Sequence, residues 1–506
     1  MKAIIALAGA FLATAGPAQA QQHHDGEPAA QMRVGTVTLE NEGNAAAQPH
    51  FQRGLALLHN FEYSAAAEAF RAAQQADPDF ALAYWGEAMT YNHPLWAEQD
   101  LVEARAALSR LGATPEVRAA KARSARELQW LGTVEALFGE GTKAERDRAY
   151  AESVRLLFDA DPSDVDARAF RALSLMGLAH GGRDTGLYMQ AAALLEEALP
   201  ANPDHPGVLH YMIHAYDDPA HAPLGERAAR RYSVVVADAG HAQHMVSHIY
   251  LALGRWPEVE AANVQAMNVV NRQRTARGQP PGHCGHFAEW LTYALMQQGR
   301  SVADLVEACR GEALSELSHR PDSTALATWR SRVVSWSDMA LRQGIETGQW
   351  PAAIALPDGK YELARFTLAY ARLLASTSDA GGAAKALAEM KRSRAVIAAA
   401  APREWPHDQQ TLPWIDRAVG QGEAVVLLAG GRKDEGIEAL RKAAAAEAAL
   451  PVPFGPPVLQ KPSAELLGEV LLEAGRKAEA TQAFRMALAA TPNRRLAREG
   501  LEATIR

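Results

Sequence analysis

The chain is 506 residues long, 48% hydrophobic, and carries a formal charge of -8. That balance provides no basic footprint for nucleic acid, and no Lys/Arg stripe interleaved with aromatics is present. Two cysteines in so long a chain exclude a disulfide-rich scaffold. Amphipathic stretches of Ala, Leu, Glu, Arg and Gln, with almost no alternating β-branched runs, predict an all-α fold.

In chain order, residues 1–20 read as a signal peptide: Lys2, an apolar run from Ala3 to Ala15, then the small-x-small triplet Ala18-Gln19-Ala20. The mature chain is expected to start at Gln21 and to work in the periplasm or outside the cell. The apolar run is too short to cross a bilayer, and no later window holds about 18 uncharged apolar residues, so no membrane span is expected. Residues 21–49 are rich in Gln, Ala, Gly and Glu and are expected to form a flexible leader.

Within 50–112, Gly54, Tyr63, Ala66, Phe70, Ala73 and Pro78 form one spaced set, and a second unit from Ala81 carries Tyr84, Ala88 and Tyr91 in phase. Residues 113–160 read as two long helices between Pro115 and Asp159. In 161–312 the marks loosen, although Asn202-Pro203 closes one unit and Gly254 and Gly299 sit at inter-helix turns. Residues 313–450 are divergent helical repeats, with few marks between Pro351 and Ala380. Residues 451–506 open with the proline-rich 451–457, expected as an extended loop or, less simply, a flap, and continue with Leu467-Gly468, Gly475, Ala480, Phe484, Ala487 and Pro492. The small residues let paired helices approach, Gly475 turns the chain, and Pro492 stops the second helix. These positions resemble the tetratricopeptide repeat, strongly at both ends and partly in the centre, as in an exported bacterial protein of that kind. The resemblance implies a right-handed solenoid of roughly eight to ten helical hairpins, with a concave groove for a peptide or protein partner.

Ten of the seventeen histidines lie between His180 and His286. Two i, i+4 pairs stand out, His210/His214 and His244/His248, each on one helix face. Counting forward from Pro203 and backward from Gly254 places both pairs at repeat positions 5 and 9, which in the family line the groove together with positions 2, 12 and 13. The same count puts His241 and His286 at position 2, Glu289 and Tyr293 at 5 and 9, and Asp217 and Asp218 at 12 and 13. In the repeat from Ala81, Trp85 and Met89 take positions 5 and 9, and His93 takes 13. Four imidazoles from adjacent helices meeting at one ion suit Zn, Cu or Fe better than Mg or Ca, with His241, His286, Asp217 and Glu289 as further ligands or partners that orient the rings.

A lone helical histidine is more often a satisfied polar contact, and His59, His205, His319 and His407 are read that way; His23 and His24 belong to the leader. Trp85 and Met89 are more simply packing residues. Cys284 and Cys309 either staple a helical hairpin or remain free thiols, with Cys284 then a possible ligand beside His283 and His286. The sequence has no HExxH, paired CxxC, GxSxG or strand-linked GxGxxG, so no nucleotide cofactor is expected. Two functions stay open: a binding solenoid with a metal cross-link, or a metal-dependent hydrolase or oxidoreductase on a repeat scaffold, with Glu289 or Asp217 as general base.

Overall fold

A computed structural model describes residues 33–319, 326–328, 330–352, 354–404 and 408–506, with backbone alone at 401–404 and 408–411. The expected signal peptide and the residues His23, His24 and His407 lie outside the described residues.

The repeat is built by wedging. Phe70, on the helix Tyr63–Ala76, sits so close to the next helix Ala81–Met89 that a Cβ on Gly86 would lie 2.3 Å from its ring. Gly54 on the preceding helix meets the same ring, so only glycine on both flanks lets one phenylalanine lock three helices. Starts are set by side-chain caps: Ser124 for Ala125–Leu137, Asp164 for Val165–Gly177, and Thr142 with Glu145 in a reciprocal capping box for Lys143–Ala160. These caps also divide the segment from Pro115 differently from the two helices expected. A short helix Pro115–Ala119 breaks off before Ser124, and two longer ones follow.

The result is an all-α, tetratricopeptide-like solenoid of ten antiparallel hairpins among the described residues, ending in the single helix Arg495–Ile505. One two-stranded ribbon interrupts it, where Asn92–His93 pairs with Glu98–Gln99. The helix Arg332–Thr347 has no hairpin partner of its own, and an irregular stretch leads from it to Glu362–Ala375. Gly254 and Gly299 take positive φ at their turns, as the repeat register expects. Among the described residues no helix is long and apolar enough to cross a membrane.

Both ends of the array close on its middle. The first helix, Gln48–His59, packs on Pro206–Ala215, and the Tyr232 hydroxyl donates to Asn60 Oδ1 at 2.8 Å. At the other end Trp256 Nε1 donates to the Asn493 carbonyl, and the fully buried Arg494 guanidinium bonds Glu465 at 2.7 and 2.9 Å and the Tyr293 hydroxyl at 3.2 Å. Residues 33–47, expected to belong to a flexible leader, have no regular secondary structure before a turn at 45–47 and bury Val34, Val37 and Leu39 in the main core. These few apolar side chains stand among polar neighbours and carry no repeat mark, yet they pack into the core.

Candidate metal centre

Three consecutive first helices of the central repeats carry the histidines: Pro206–Ala215, Gly240–Ala252 and His286–Gln297. In place of the expected four-imidazole cluster, the structure groups them as two triads, His210/His214/His241 and His244/His248/His286. Within each triad, one possible ligand atom per residue lies within 4.8 Å of the others. The regrouping follows from repeat geometry. Positions 5 and 9 of one helix point toward the next, where position 2 completes the set, so each pair is finished by its successor and not by the neighbouring pair.

The rings of His210, His244 and His248 are oriented by the nitrogen that faces away from the triad. His210 Nδ1 donates to the His59 carbonyl at 2.7 Å, which leaves Nε2 as a lone pair, and that buried atom has no hydrogen-bond partner. The Nε2 of His214, also buried, likewise has none. In the second triad His244 Nδ1 donates to Asn263 Oδ1 at 2.7 Å, the Asn263 amide being held by its own bond to the Val259 carbonyl. His248 Nδ1 lies 2.6 Å from Asp217 Oδ2, so Asp217 orients a ring. The two Nε2 atoms of His244 and His248 then face each other at 3.1 Å. For neutral rings this aims two lone pairs at one point, which only a proton or a cation between them relieves. Two nitrogens on a tetrahedral zinc ion stand about 3.3 Å apart, close to this spacing.

Burial favours neutral rings. Desolvation lowers His210 to about 3, against the opposing bond to the His59 carbonyl. His214 and His244 are held well below the ordinary histidine value, first by burial and then by neighbouring imidazoles. An uncharged imidazole is the form that binds metal.

The walls come from segments without a repeat signature. Phe61, at φ 58° in the first inter-helix turn, meets His210 edge-on at 4.4 Å, stacks on His214 at 5.8 Å and lies tilted 5.8 Å from His241. Trp96, in the turn between the ribbon strands, lies 6.2 Å from His241. The neighbouring Glu62 is buried, accepts the His241 backbone N–H, and is raised to about 7 by desolvation. On the other side Trp290 packs 4.6 Å from His244 and 4.4 Å from His248. The 451–457 loop lies over Trp290: a Cβ on Gly455 would come 2.3 Å from the indole, and Phe454 stacks on Tyr188. The paired histidines are therefore enclosed, while His286 is exposed and forms the open edge of its triad.

Other expected site residues are elsewhere. Trp85 is core, donating to Thr133 Oγ1 and packed on Trp130 and Phe170. Met89 is buried in the same core. His93 stacks on Tyr63 at 4.0 Å and bonds the Thr90 carbonyl. Asp218 accepts from the Ala220 and His221 amides in the turn before the next helix and pairs with Arg183 and His221. Tyr293 belongs to the Arg494 network. Glu289 faces Asp338, Arg342 and Ser335 of the helix Arg332–Thr347, where burial raises it to about 7, followed by Asp338. Cys284 is bridged to Cys309 in a disulfide, which removes the thiol-ligand alternative, and His283 turns to Glu312. Sequence reasoning missed Phe61, Glu62, Trp96 and Asn263; of these only Asn263, a polar residue on the apolar stripe of its helix, left a signal in the pattern.

No protein-family model matches the chain, and no curated protein sequence matches it. Among solved structures it is similar to the APC/C hetero-tetramer Cut9-Hcn1, at 11% identity over 92% of this chain and 78% of that one, with a TM-score of 0.36. It is also similar to a human IFIT1 dimer with m7Gppp-AAAA, at 13% identity over 93% and 91% of the two chains with a TM-score of 0.35. A third likeness, to the P58(IPK) TPR domain, has 13% identity over 91% and 98% with a TM-score of 0.22. The repeat architecture rests on this chain's own hairpins.

Proposed function

We propose that this protein is an exported helical-repeat protein that binds transition metal, one ion to each histidine triad, and presents its solenoid surface to a peptide or protein partner. The observation that carries the metal assignment is the 3.1 Å approach of His244 Nε2 and His248 Nε2, each ring pinned at its other nitrogen. Such outer hydrogen bonds fix the tautomer that metal needs. The orphaned, buried Nε2 atoms of His210 and His214 add support, because an unsatisfied buried acceptor is costly and an ion would satisfy both. Imidazole-only donor sets suit Zn, Cu or Fe. Export is supported by the Ala18-Gln19-Ala20 site and by the Cys284–Cys309 disulfide, which persists in oxidising compartments. Mature protein whose N-terminal sequence begins elsewhere than Gln21 would count against it.

Three donors leave a coordination position open, and the exposed edge at His286 gives it access. A metal-dependent hydrolase or oxidoreductase is the second reading, beside a closed structural cross-link. The test is elemental analysis of untagged protein, with Zn(II), Cu(II) and Co(II) titrated into the metal-free form. Two ions per chain are expected, falling to one in His244→Ala/His286→Ala. A parent that takes up none of the three metals would leave a proton between His244 and His248 and end the metal assignment.

A further inference from the structure

We propose that the two triads are one dinuclear centre, in which a small anion bridges the two ions. This rests on the metal assignment above and adds to it that the sites are coupled.

The coupling follows from a shared helix. Gly240–Ala252 supplies His241 to one triad and His244 and His248 to the other, so a single rigid element sets their spacing. Along an α-helix, residues three apart differ in height by about 4.5 Å, less than the reach of two imidazole side chains. Facing rings from opposite triads are correspondingly close: His214 and His248 stand 5.9 Å apart between centroids, and His241 and His244 stand 6.4 Å apart. Such rings bound to separate ions would hold them within the span of one small polyatomic ligand.

Charge favours the ligand. Six neutral imidazoles contribute nothing against two dications. The carboxylates at the rings' outer edges, Asp217 on His248 and Glu62 on the His241 backbone N–H, bring at most two negative charges, which leaves a pair of dications in excess. The remaining positive charge favours an anion of carboxylate or azide type, long enough to reach the positions both ions leave open. Phe61 and Trp290, lining opposite flanks, limit it to a small one.

The test loads metal-free protein with two equivalents of Cu(II) and follows electron paramagnetic resonance and optical absorption during azide titration. The expected result is two coppers bound, one azide per chain, and an integrated spin signal that falls well below two spins as the bridge couples the pair. His244→Ala/His286→Ala and His210→Ala/His241→Ala, checked for native helicity by circular dichroism, should each bind one copper with its full one-spin signal. Two coppers that keep two independent full-intensity signals and take two azides would overturn the bridge while leaving the metal assignment intact. Failure to bind copper, zinc or cobalt at all would overturn both, and the wild-type spin count needs no variant to fold.

Discussion

Two buried histidine groups lie side by side in this protein and differ in one respect. In the cluster of His59, Asp166 and His205, every ring nitrogen is satisfied: Asp166 Oδ1 accepts from both Nε2 atoms at 2.8 and 3.1 Å, the Tyr211 hydroxyl donates to His59 Nδ1, and the Val208 amide donates to His205 Nδ1. In the two triads His210, His244 and His248 each spend one ring nitrogen on an anchor and aim the other inward, and the buried His214 Nε2 has no hydrogen-bond partner. Burial and clustering are common to both regions. What separates a hydrogen-bonded core from a candidate metal centre is whether lone pairs remain after the hydrogen bonds are assigned. The first cluster also serves the second, since the His59 carbonyl anchors His210.

The comparison can be broken most forcefully by exchanging roles. Removing two inward nitrogens in His244→Ala/His248→Ala should abolish binding at that triad, and equilibrium dialysis should show one ion fewer per chain. His59→Ala should leave the metal count unchanged but remove one of the two imidazoles bonded to the buried Asp166 carboxylate, with a loss of about 3 kcal/mol in denaturant unfolding. Burial alone would raise Asp166, and the two imidazoles outweigh it and hold it below the usual carboxylate range. If His59→Ala instead lost metal while staying folded, the two regions would not be distinct in the way described.

Arg494→Ala should be comparably costly, about 3–5 kcal/mol, because it leaves Glu465 buried opposite Lys461 without its main partner. Limited proteolysis should then release the C-terminal repeat first. The effect should be felt at Tyr293 and not in metal content, which sharpens the distinction between scaffold and site. Asp217→Asn keeps the shape but weakens the ring anchor of His248, and metal affinity measured by competition should fall about 10- to 100-fold. An unchanged affinity would mean that Asp217 does not set the ring.

The effect of pH is spread over several units. His210 is lowered to about 3 in the folded chain against an ordinary 6.5, so between those values the unfolded chain binds a proton that the folded one does not. Its contribution is complete above pH 6.5 and shrinks as pH falls toward 3, with a slope of up to about 1.4 kcal/mol per pH unit for this group. Thermal melts of metal-free protein should show midpoints declining over that window, and His210→Asn should flatten the decline.

The sequence made the all-α repeat legible because wedge residues such as Phe70 and Phe484 recur with small partners at fixed spacing, and that spacing is dictated by how helices pack. It also placed the paired histidines, since a helix face is readable from i, i+4. It did not reveal the grouping into triads, because that depends on the angle between successive first helices, which no single helix encodes. Nor did it reveal the enclosure. Phe61, Trp96 and the 451–457 loop reach the centre only because the solenoid curls until its ends meet its middle. Closure of that kind is set by many small inter-repeat rotations, and Trp85 and Met89, in register yet buried in the core, show that repeat position alone does not define an open groove.

Anomalous diffraction from crystals soaked in Zn(II), recorded on both sides of the zinc edge, tests the central claim most directly. Two peaks are expected, one inside His210/His214/His241 and one inside His244/His248/His286, each at bonding distance from Nε2 atoms. An empty map at both positions, with His244 and His248 still in contact through a shared proton, would contradict the account.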